Sequence, residues 1–331
     1  MDDANRRPLG SQMLRAGCKG RQIPFRSRMP SANTRVAVVL NAGSGDGSAE
    51  KAADVLEQIF TAAGRELRVV MLKPGVDLQQ ELDTAITDGV GVVVAGGGDG
   101  TVNSVANVIA GRDVTLGVLP LGTLNHFARD LGIPIALEDA VRVILAGHTM
   151  QVDIGEVNGR LFLNNSSVGL YPRIVQLRER YRASGIEKWI VAAWATLRVT
   201  RKHKALRMKI AAAGAEVVRT TPLIFIGNNE YRMAGFDAGS RDTVCAGKLA
   251  LYVVEESGRW RLFRLVWRIL AGTATESGAL AMATATAATI DVPFADHITQ
   301  LPVAVDGEVT TLELPLRYSI RPGALRVIVP E

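Results

Sequence analysis

The sequence predicts an α/β domain built on a parallel sheet, followed by a mainly antiparallel β domain. Three observations support this fold class. The 331 residues, 47% of them apolar, are enough for two domains that each bury a core. From residue 35 to about residue 150, short β-branched runs alternate with stretches of helical periodicity. Beyond that point, period-two alternation and turn signals dominate the pattern.

The elements of the first half follow in a regular order. Residues 35–41 predict a buried strand, because they form a continuous β-branched run, and Ser48 is a candidate N-cap for the next helix. The pattern then predicts a helix at 48–63, a strand at 66–72, a helix at 77–88, a strand at 91–95, a helix at 102–110, a strand at 115–119 and two short helices within 125–147, split at Pro134. This alternation indicates a parallel sheet covered on both faces, with ligands beyond the carboxyl ends of the strands.

The second half begins with a hairpin signal, Asn158-Gly159, between segments 151–157 and 160–164. Further strands are predicted at 206–210, 216–226, 248–254, 288–292, 303–305 and 310–314, with helical stretches near 173–201 and 259–271. We therefore predict three parts: a basic extension at 1–34, an α/β domain at 35–150 and a β domain at 151–320. The last run, 324–329, is a candidate to rejoin the first domain.

The basic charge of the chain is concentrated in its N-terminal extension. Residues 1–35 carry eight basic and two acidic residues, so they account for the formal net charge of +5 and leave a nearly neutral body. A high isoelectric point is therefore no argument for a nucleic-acid partner, and we predict none. Because the extension lacks an apolar signal core and no run is long enough to span a bilayer, we expect a cytoplasmic protein.

The most specific motif lies in residues 92–103. A hydrophobic strand leads into Gly96-Gly97-Gly98-Asp99-Gly100-Thr101, and a helix follows. Glycines let the backbone approach a phosphate, and the helix N-terminus offers N–H groups and a positive dipole. An acid beside a phosphate is repulsive unless it has a partner, so Asp99 is either a Mg²⁺ or water ligand or a structural cap.

Two more loops of small residues follow the first and fourth strands of the predicted sheet. These are Asn41-Ala42-Gly43-Ser44-Gly45 and the segment 120–128, which contains Gly122 and Thr123. Together the three loops supply enough N–H and hydroxyl donors for a triphosphate. The chain contains neither a GxxxxGK[ST] motif nor a GxGxxG motif after a strand, which disfavours a P-loop NTPase and an ordinary dinucleotide dehydrogenase.

These three loops resemble the catalytic domain of the diacylglycerol kinase and bacterial lipid kinase family. The resemblance runs from about residue 35 to the C-terminus, and the segment around Gly122-Thr123-Leu124-Asn125 is its more particular part. It implies a doubly wound nucleotide-binding domain and a β-sandwich-like domain, with ATP and Mg²⁺ bound in a cleft between them. The residues that it implies for nucleotide binding are Asn41, Gly43, Ser44, Gly45, Gly97, Gly98, Asp99, Gly100, Thr101, Asn103 and Thr123, with Asp99 also the candidate ligand of ATP-bound Mg²⁺.

The resemblance also implies catalytic roles for Asp306-Gly307-Glu308. By analogy, Glu308 deprotonates the acceptor hydroxyl, and Asp306 supports it or Mg²⁺. From the residues alone, two acids flanking a glycine also describe a solvated hairpin turn. The sequence departs from the family pattern at His126, where an acid is usual, and at Ala246-Gly247, where loss of an acid puts a structural Mg²⁺ in doubt.

All four tryptophans lie in two basic stretches that the pattern predicts to be helical. Trp189 and Trp194 lie in the first stretch, and Trp260 and Trp267 in the second. Such helices lie in a membrane interface or pack against another domain. We therefore expect a peripheral membrane protein that meets a lipid substrate at the bilayer, and a homodimer is left open.

The function expected from the sequence is transfer of the γ-phosphoryl group of ATP to a lipid hydroxyl. The acceptor is a diacylglycerol-like lipid or a sphingoid base, which the sequence does not distinguish. Two alternatives remain: a soluble kinase of the NAD kinase type, and an ATP-binding regulatory protein without catalysis.

Overall fold

A computed structural model describes residues 35–41, 48–180, 205–232, 240–254, 280–293 and 298–331. It divides the chain into two compact units. The first runs to Asp153 and includes Thr243–Ala246 and Pro322–Glu331, and the second contains Ile154–Asp242 and Gly247–Arg321. The four tryptophans, residues 181–204 of the first basic stretch, the whole second stretch at 259–271, the basic extension at 1–34 and residues 42–47 of the first predicted loop lie outside the described residues.

The first unit alternates strands and helices as predicted. Its elements are β1 (Arg35–Asn41), α1 (Ser48–Ala62), β2 (Leu67–Leu72), α2 (Leu78–Thr87), β3 (Val90–Gly97), α3 (Asp99–Ile109), β4 (Thr115–Pro120), α4 (His126–Asp130), α5 (Leu137–Ala146) and the start of β5 (Thr149–Val157). The strand order is β2-β1-β3-β4, and each of these pairs is parallel. Residues 36–40 and 92–95 are buried, because helices cover the sheet.

The C-terminal strand adds a fifth parallel strand to this sheet. It is β16 (Leu316–Ile328), and Arg326 and Val327 pair with Thr115 and Leu116 of β4. The candidate segment 324–329 thus contributes to the first unit. Its earlier residues belong to the second unit, where Leu316 to Ser319 pair antiparallel with residues 287–290.

The second unit consists of antiparallel strands and one described helix. Its elements are β6 (Arg160–Phe162), β7 (Asn165–Gly169), α6 (Leu170–Arg180), β8 (Leu206–Ala212), β9 (Ala215–Thr221), β10 (Leu223–Asn228), β11 (Leu249–Val254), β12 (Leu280–Ala285), β13 (Ala287–Asp291), β14 (Gln300–Val305) and β15 (Glu308–Glu313). One sheet has the order β12-β11-β10-β7-β14-β15, and the other contains β16, β13, β8 and β9. Apolar residues of both sheets, including Val168, Ile226, Val303 and Tyr318, form one buried cluster, as in a β-sandwich.

Three hairpins of this unit turn on two residues with positive φ. These are Asn158-Gly159, Ala213-Gly214 and Asp306-Gly307. Two consecutive positive φ values match the twist of the flanking strands. The structure confirms the hairpin predicted at Asn158-Gly159, where Val157 pairs with Arg160.

The strand prediction was wrong at residues 216–226, which form two strands in different sheets. Strand β9 pairs with β8, whereas β10 pairs with β7 and β11. The break falls at Pro222, which has no N–H for a ladder. Thr221 stabilises the break, because its hydroxyl hydrogen-bonds the carbonyl oxygens of Leu223 (2.9 Å) and Val254 (2.8 Å).

The predicted helix near 173–201 begins earlier than expected, at Leu170, and its described part ends at Arg180. Among the described helices, none is long and apolar enough to cross a bilayer.

Candidate functional site

The glycine-rich loop of the first unit lies between β3 and α3. Gly97 ends β3, Gly98 is the N-cap residue of α3, and Asp99 is its first residue. No side chain caps this helix at Gly98. The N-terminal turn of an α-helix has N–H groups without intrahelical acceptors, so this turn suits an anion.

Small residues are required where β3 joins α3. A Cβ on Gly97 would lie 2.5 Å from Oγ1 of Thr101, and a Cβ on Gly96 would lie 2.5 Å from Cδ2 of Leu40. Thr101 is buried, and Asn41 Nδ2 donates to its hydroxyl at 3.4 Å. The structure thus brings Asn41 at the end of β1 together with the start of α3.

The carboxylate of Asp99 caps the short helix α4. Its Oδ1 accepts the N–H of Phe127 at 3.1 Å, and its Oδ2 accepts the N–H of His126 at 3.2 Å. Asn125, the N-cap residue of α4, is left-handed with φ 50° and makes no side-chain cap of its own. Of the two roles predicted for Asp99, the structural one is therefore present, and metal binding stays a prediction.

Removing this cap is expected to destabilise the first unit. Asp99→Ala should lower the free energy of unfolding by about 0.5–2 kcal/mol, the range for loss of a helix cap. Urea denaturation followed by circular dichroism measures this change. Asp113→Ala is the matched control, because Asp113 is 91% exposed and makes a surface ion pair with Arg326. Equal stability of the two variants would contradict the capping role.

Asn125 fixes the loop after β4. Its Oδ1 accepts the N–H of Gly122 at 3.0 Å, and its Nδ2 donates to the carbonyl oxygens of Gly122 (2.7 Å) and Pro120 (3.1 Å). The loop also pairs with β3, because Leu121 donates its N–H to Gly97 O at 3.1 Å. Sequence reasoning missed these three hydrogen bonds of the Asn125 side chain. The available signal was an asparagine within a glycine-containing loop.

The two glycine-rich loops are in close backbone contact. A Cβ on Gly122 would lie only 2.4 Å from Cα of Gly98. The loop thereby leaves Thr123 and Leu124 exposed beside the N-terminus of α3. Gly100 is exposed, Asn103 is half-buried on α3, and the predicted Gly43, Ser44 and Gly45 lie outside the described residues.

In the second unit, Asp306 and Gly307 form the turn between β14 and β15. Three backbone N–H groups donate to the carboxylate of Asp306: those of Leu163 (2.7 Å), Asn164 (2.9 Å) and Asn165 (2.9 Å). Asp306 also donates its own N–H to Asn165 O at 2.9 Å. The oxygens of Asp306 thus anchor the hairpin to residues 163–165. Its predicted catalytic role, as a support of Glu308 or of Mg²⁺, stays a prediction.

Glu308 begins β15 directly after this turn, and its residue is exposed. The turn is thus a hairpin, as the simpler interpretation had it, and the carboxylate of Asp306 is bound by backbone N–H groups. Anchoring of Asp306 fixes the backbone two residues before Glu308. The arrangement presents one accessible carboxylate from a rigid support.

The carboxyl group of Asp306 is a weaker acid than that of an ordinary aspartate. Desolvation raises the pKa of Asp306 to about 6, although the three N–H donors and the Arg241 guanidinium lower it. The folded chain therefore holds a proton on Asp306 between about pH 4 and pH 6, where an ordinary carboxyl in the unfolded chain has lost it.

This difference predicts the pH dependence of stability. As pH rises from about 4 to 6, the contribution of Asp306 to the free energy of unfolding should fall by about 3 kcal/mol in total. The measurement is urea denaturation of the wild type and Asp306→Asn across this range. The stability of the wild type should fall relative to the variant up to about pH 6 and run parallel above it. Parallel curves at every pH would contradict the raised pKa.

A buried polar cluster that sequence reasoning missed surrounds the anchor of Asp306. Its members Asn164, Asn228, Asn229 and Arg241 are all at most 6% exposed. Asn228 Nδ2 donates to Leu163 O at 2.9 Å, and its backbone N–H donates to Asn164 O at 2.9 Å. The available signal was the pair of Asn-Asn dipeptides at 164–165 and 228–229, each in or beside a strand.

The described residues contain no group of three or more His, Cys, Asp or Glu side chains placed to hold a metal ion. Near Ala246-Gly247, Lys248 Nζ instead pairs with Glu230 Oε1 at 2.7 Å.

Two family models match the chain, one in each half. The diacylglycerol kinase catalytic domain matches residues 35–157, and the YegS C-terminal NAD kinase beta sandwich-like domain matches residues 168–329. The predicted fold class, an α/β domain followed by a β-sandwich-like domain, is thereby confirmed.

Curated relatives carry kinase names. A probable lipid kinase YegS-like protein of Pseudomonas aeruginosa is 42% identical over 143 residues, which span 42% of this chain but only 46% of that protein. A diacylglycerol kinase of Staphylococcus aureus is 31% identical over 253 residues, covering 74% of this chain and 77% of that protein.

Among solved structures, a putative diacylglycerol kinase from Bacillus anthracis has the same fold. It superposes with a TM-score of 0.70 at 22% identity, covering 91% of this chain and 99% of that one.

Proposed function

Because the chain belongs to the diacylglycerol kinase family, we propose that it transfers the γ-phosphoryl group of ATP to the hydroxyl of a lipid. The observation that carries the nucleotide part is the contact between Gly98 and Gly122. It joins two small-residue loops at an uncapped helix N-terminus, where backbone N–H groups suit phosphate oxygens. Phosphoryl transfer depends mostly on such positioning and charge stabilisation.

ATP binds, in this proposal, to the carboxyl edge of the sheet of the first unit. Three segments would contact the phosphates. They are the loop after β1, with Asn41, Gly43, Ser44 and Gly45; the start of α3, with Gly97 to Asn103; and the loop after β4, where Thr123 adds a hydroxyl group. Thr101 acts from a buried position, by holding Asn41. The glycines allow close approach of the backbone, and the exposed Thr123 adds its donor from the loop that Asn125 clamps.

Mg²⁺ fits this site as a companion of the nucleotide. Mg²⁺ is commonly held by one or two carboxylates together with substrate phosphates. Asp99 offers a carboxylate whose two oxygens each accept one N–H and keep lone pairs for a further ligand. The ion would supply charge neutralisation at the phosphates.

Glu308 is the general base. It accepts the proton of the lipid hydroxyl while the hydroxyl oxygen forms a bond to the γ-phosphorus, and the bond from that phosphorus to the bridging oxygen of ADP breaks. In this proposal Asp306 does not itself contact the reacting atoms. It is a positioning residue, because its carboxylate holds the turn that carries Glu308.

A transfer assay tests the proposal. The purified chain is incubated with [γ-³²P]ATP and Mg²⁺ against diacylglycerol or sphingosine in mixed micelles, NAD in solution, and no acceptor. Label in the lipid is the expected result. Label in NAD alone would favour the NAD kinase alternative, and ATP binding without label in any acceptor would favour a regulatory protein.

We further propose that the chain meets its lipid as a peripheral protein at an anionic membrane surface. The supporting features are the basic extension and the tryptophan-bearing basic stretches of the sequence. Deleting residues 1–28 should weaken co-sedimentation with phosphatidylserine vesicles, and more so at low salt. Binding equal to that of the full chain would assign the extension no role at the membrane.

A further inference from the structure

Arg241 is a buried cation in the second unit, only 5% exposed. One guanidinium nitrogen, Nη1, donates to the carbonyl oxygens of Leu163 (2.6 Å) and Asn228 (3.0 Å), and Nη2 donates to Asn164 Oδ1 at 3.0 Å. Its guanidinium carbon also lies 5.6 Å from the centre of the Tyr231 ring. These contacts hold the planar guanidinium in one orientation.

The backbone of Arg241 is fixed as well. Arg241 forms an antiparallel bridge with Tyr231, and the neighbouring Arg232 donates its N–H to Ser240 O at 2.9 Å. Tyr231 is held in turn, since its N–H donates to the hydroxyl of Tyr252 at 2.8 Å. The guanidinium therefore projects from a backbone position that the bridge to Tyr231 fixes.

The peptide group that Arg241 contacts also contacts Asp306. The carbonyl of Leu163 and the N–H of Asn164 belong to the same peptide group. Arg241 donates to the carbonyl end, and the N–H end donates to Asp306 Oδ1 at 2.9 Å. A cation at the oxygen of a peptide polarises its N–H and strengthens the bond that the N–H donates.

We propose that Arg241 is a positioning residue for Glu308, acting through residues 163–165 and the carboxylate of Asp306. This inference rests on the proposed function, because it assigns a role in that same reaction. The guanidinium holds the carbonyl side of the segment, the N–H side holds the Asp306 carboxylate, and the Asp306-Gly307 turn sets the position of Glu308. The positive charge of Arg241 also lowers the pKa of Asp306, against the larger opposite effect of desolvation, and so favours the ionised carboxylate.

Two substitutions of Arg241 distinguish the effects of its positive charge and its planar hydrogen-bonding geometry from the effect of its packing. Arg241→Met keeps a long side chain but removes the charge and every donor, whereas Arg241→Lys keeps the charge and a donor but loses the planar fork. Arg232→Met and Arg232→Lys are matched controls, because Arg232 lies beside the same β-bridge and forms a surface ion pair with Asp242.

The readouts are the pKa of Asp306, from carboxyl ¹³C NMR titration, and the pH profile of kcat. In Arg241→Met the pKa of Asp306 and the acidic limb of kcat should both move to higher pH. Its kcat at neutral pH should fall by about 10- to 100-fold, the effect of a small misplacement of a catalytic group, with the KM for ATP unchanged. In Arg241→Lys the acidic limb should stay at the wild-type position while kcat falls.

A folded Arg241→Met with the wild-type pKa of Asp306 would overturn the proposal, as would equal shifts in the Met and Lys variants. If Arg241→Met does not fold, Arg241→Lys carries the test: a kcat below that of Arg232→Lys supports the role, and an equal kcat overturns it. The NMR titration needs no substrate. Absence of lipid phosphorylation by the wild type would therefore count against the proposed function, while the titration still reports whether Arg241 and Asp306 are coupled.

Discussion

Replacing Glu308 by Gln should lower kcat for lipid phosphorylation by about 10²- to 10⁴-fold, the contribution of a positioned general base. Gln keeps the size and hydrogen-bonding capacity of the side chain but cannot accept the proton of the acceptor hydroxyl. The KM for ATP should not change, because the nucleotide loops belong to the other unit. Initial rates with diacylglycerol in mixed micelles, at saturating ATP, measure the effect.

Glu313→Gln is the matched control for this substitution. Glu313 ends the strand that Glu308 begins, and both residues are exposed. The two variants lose the same charge from the same strand, so a difference between them reports position and not net charge. Full activity of Glu308→Gln would remove the base assignment and leave ATP transfer itself untouched.

Gly122→Ala should damage both folding and nucleotide binding. The added Cβ would lie 2.4 Å from Cα of Gly98, 2.8 Å from Asn125 Oδ1 and 3.0 Å from Gly98 N. Since two of these atoms are backbone, relief requires the loops to separate. We expect a loss of about 1–3 kcal/mol in the free energy of unfolding, the usual result of overpacking. A shift of about 1 Å in the loops should lower kcat/KM for ATP by about 10²-fold.

Gly98→Ala separates the two effects. A Cβ at Gly98 meets only Cα of Gly122, at 3.5 Å, which is an ordinary contact, and φ is −85°. This variant should fold with near wild-type stability, as urea denaturation would show. If the backbone at Gly98 approaches a phosphate, the methyl group should still weaken ATP binding, measured by calorimetry. Unchanged ATP affinity in Gly98→Ala would move the phosphate site away from this helix.

The order of elements in the first unit was predictable because each buried parallel strand is a continuous apolar run. Residues 36–40 and 92–95 are examples of such runs. Strand β7 escaped prediction, since Asn165, Ser166 and Ser167 are weak strand formers whose place between β10 and β14 is set by tertiary pairing. Pro222 was a visible signal for a strand break, but the strand prediction followed the apolar run around it and ignored the proline.

The candidate site was only partly predictable, for a physical reason. Glycines and a hydroxyl residue directly after a strand are a local pattern that indicates phosphate binding. The loop around Gly98 could therefore be found from neighbouring residues. The partners of Asp306 are about 140 positions away in the chain, and no local pattern encodes such a contact. Arg241 was missed for the same reason, because its acceptors Leu163 and Asn164 come from a distant strand connection.

Strand β16 constrains the order in which the chain can fold during synthesis. Strand β4 is buried along its whole length, and its outer neighbour is residues 326–327 of β16. A ribosome makes all of the second unit before it reaches those residues. Until then the edge of β4 in the nascent first unit is apolar and unpaired. Such an edge can pair with strands of other chains and lead to aggregation. A fragment that ends at residue 157, where the catalytic-domain match stops, would keep that edge permanently.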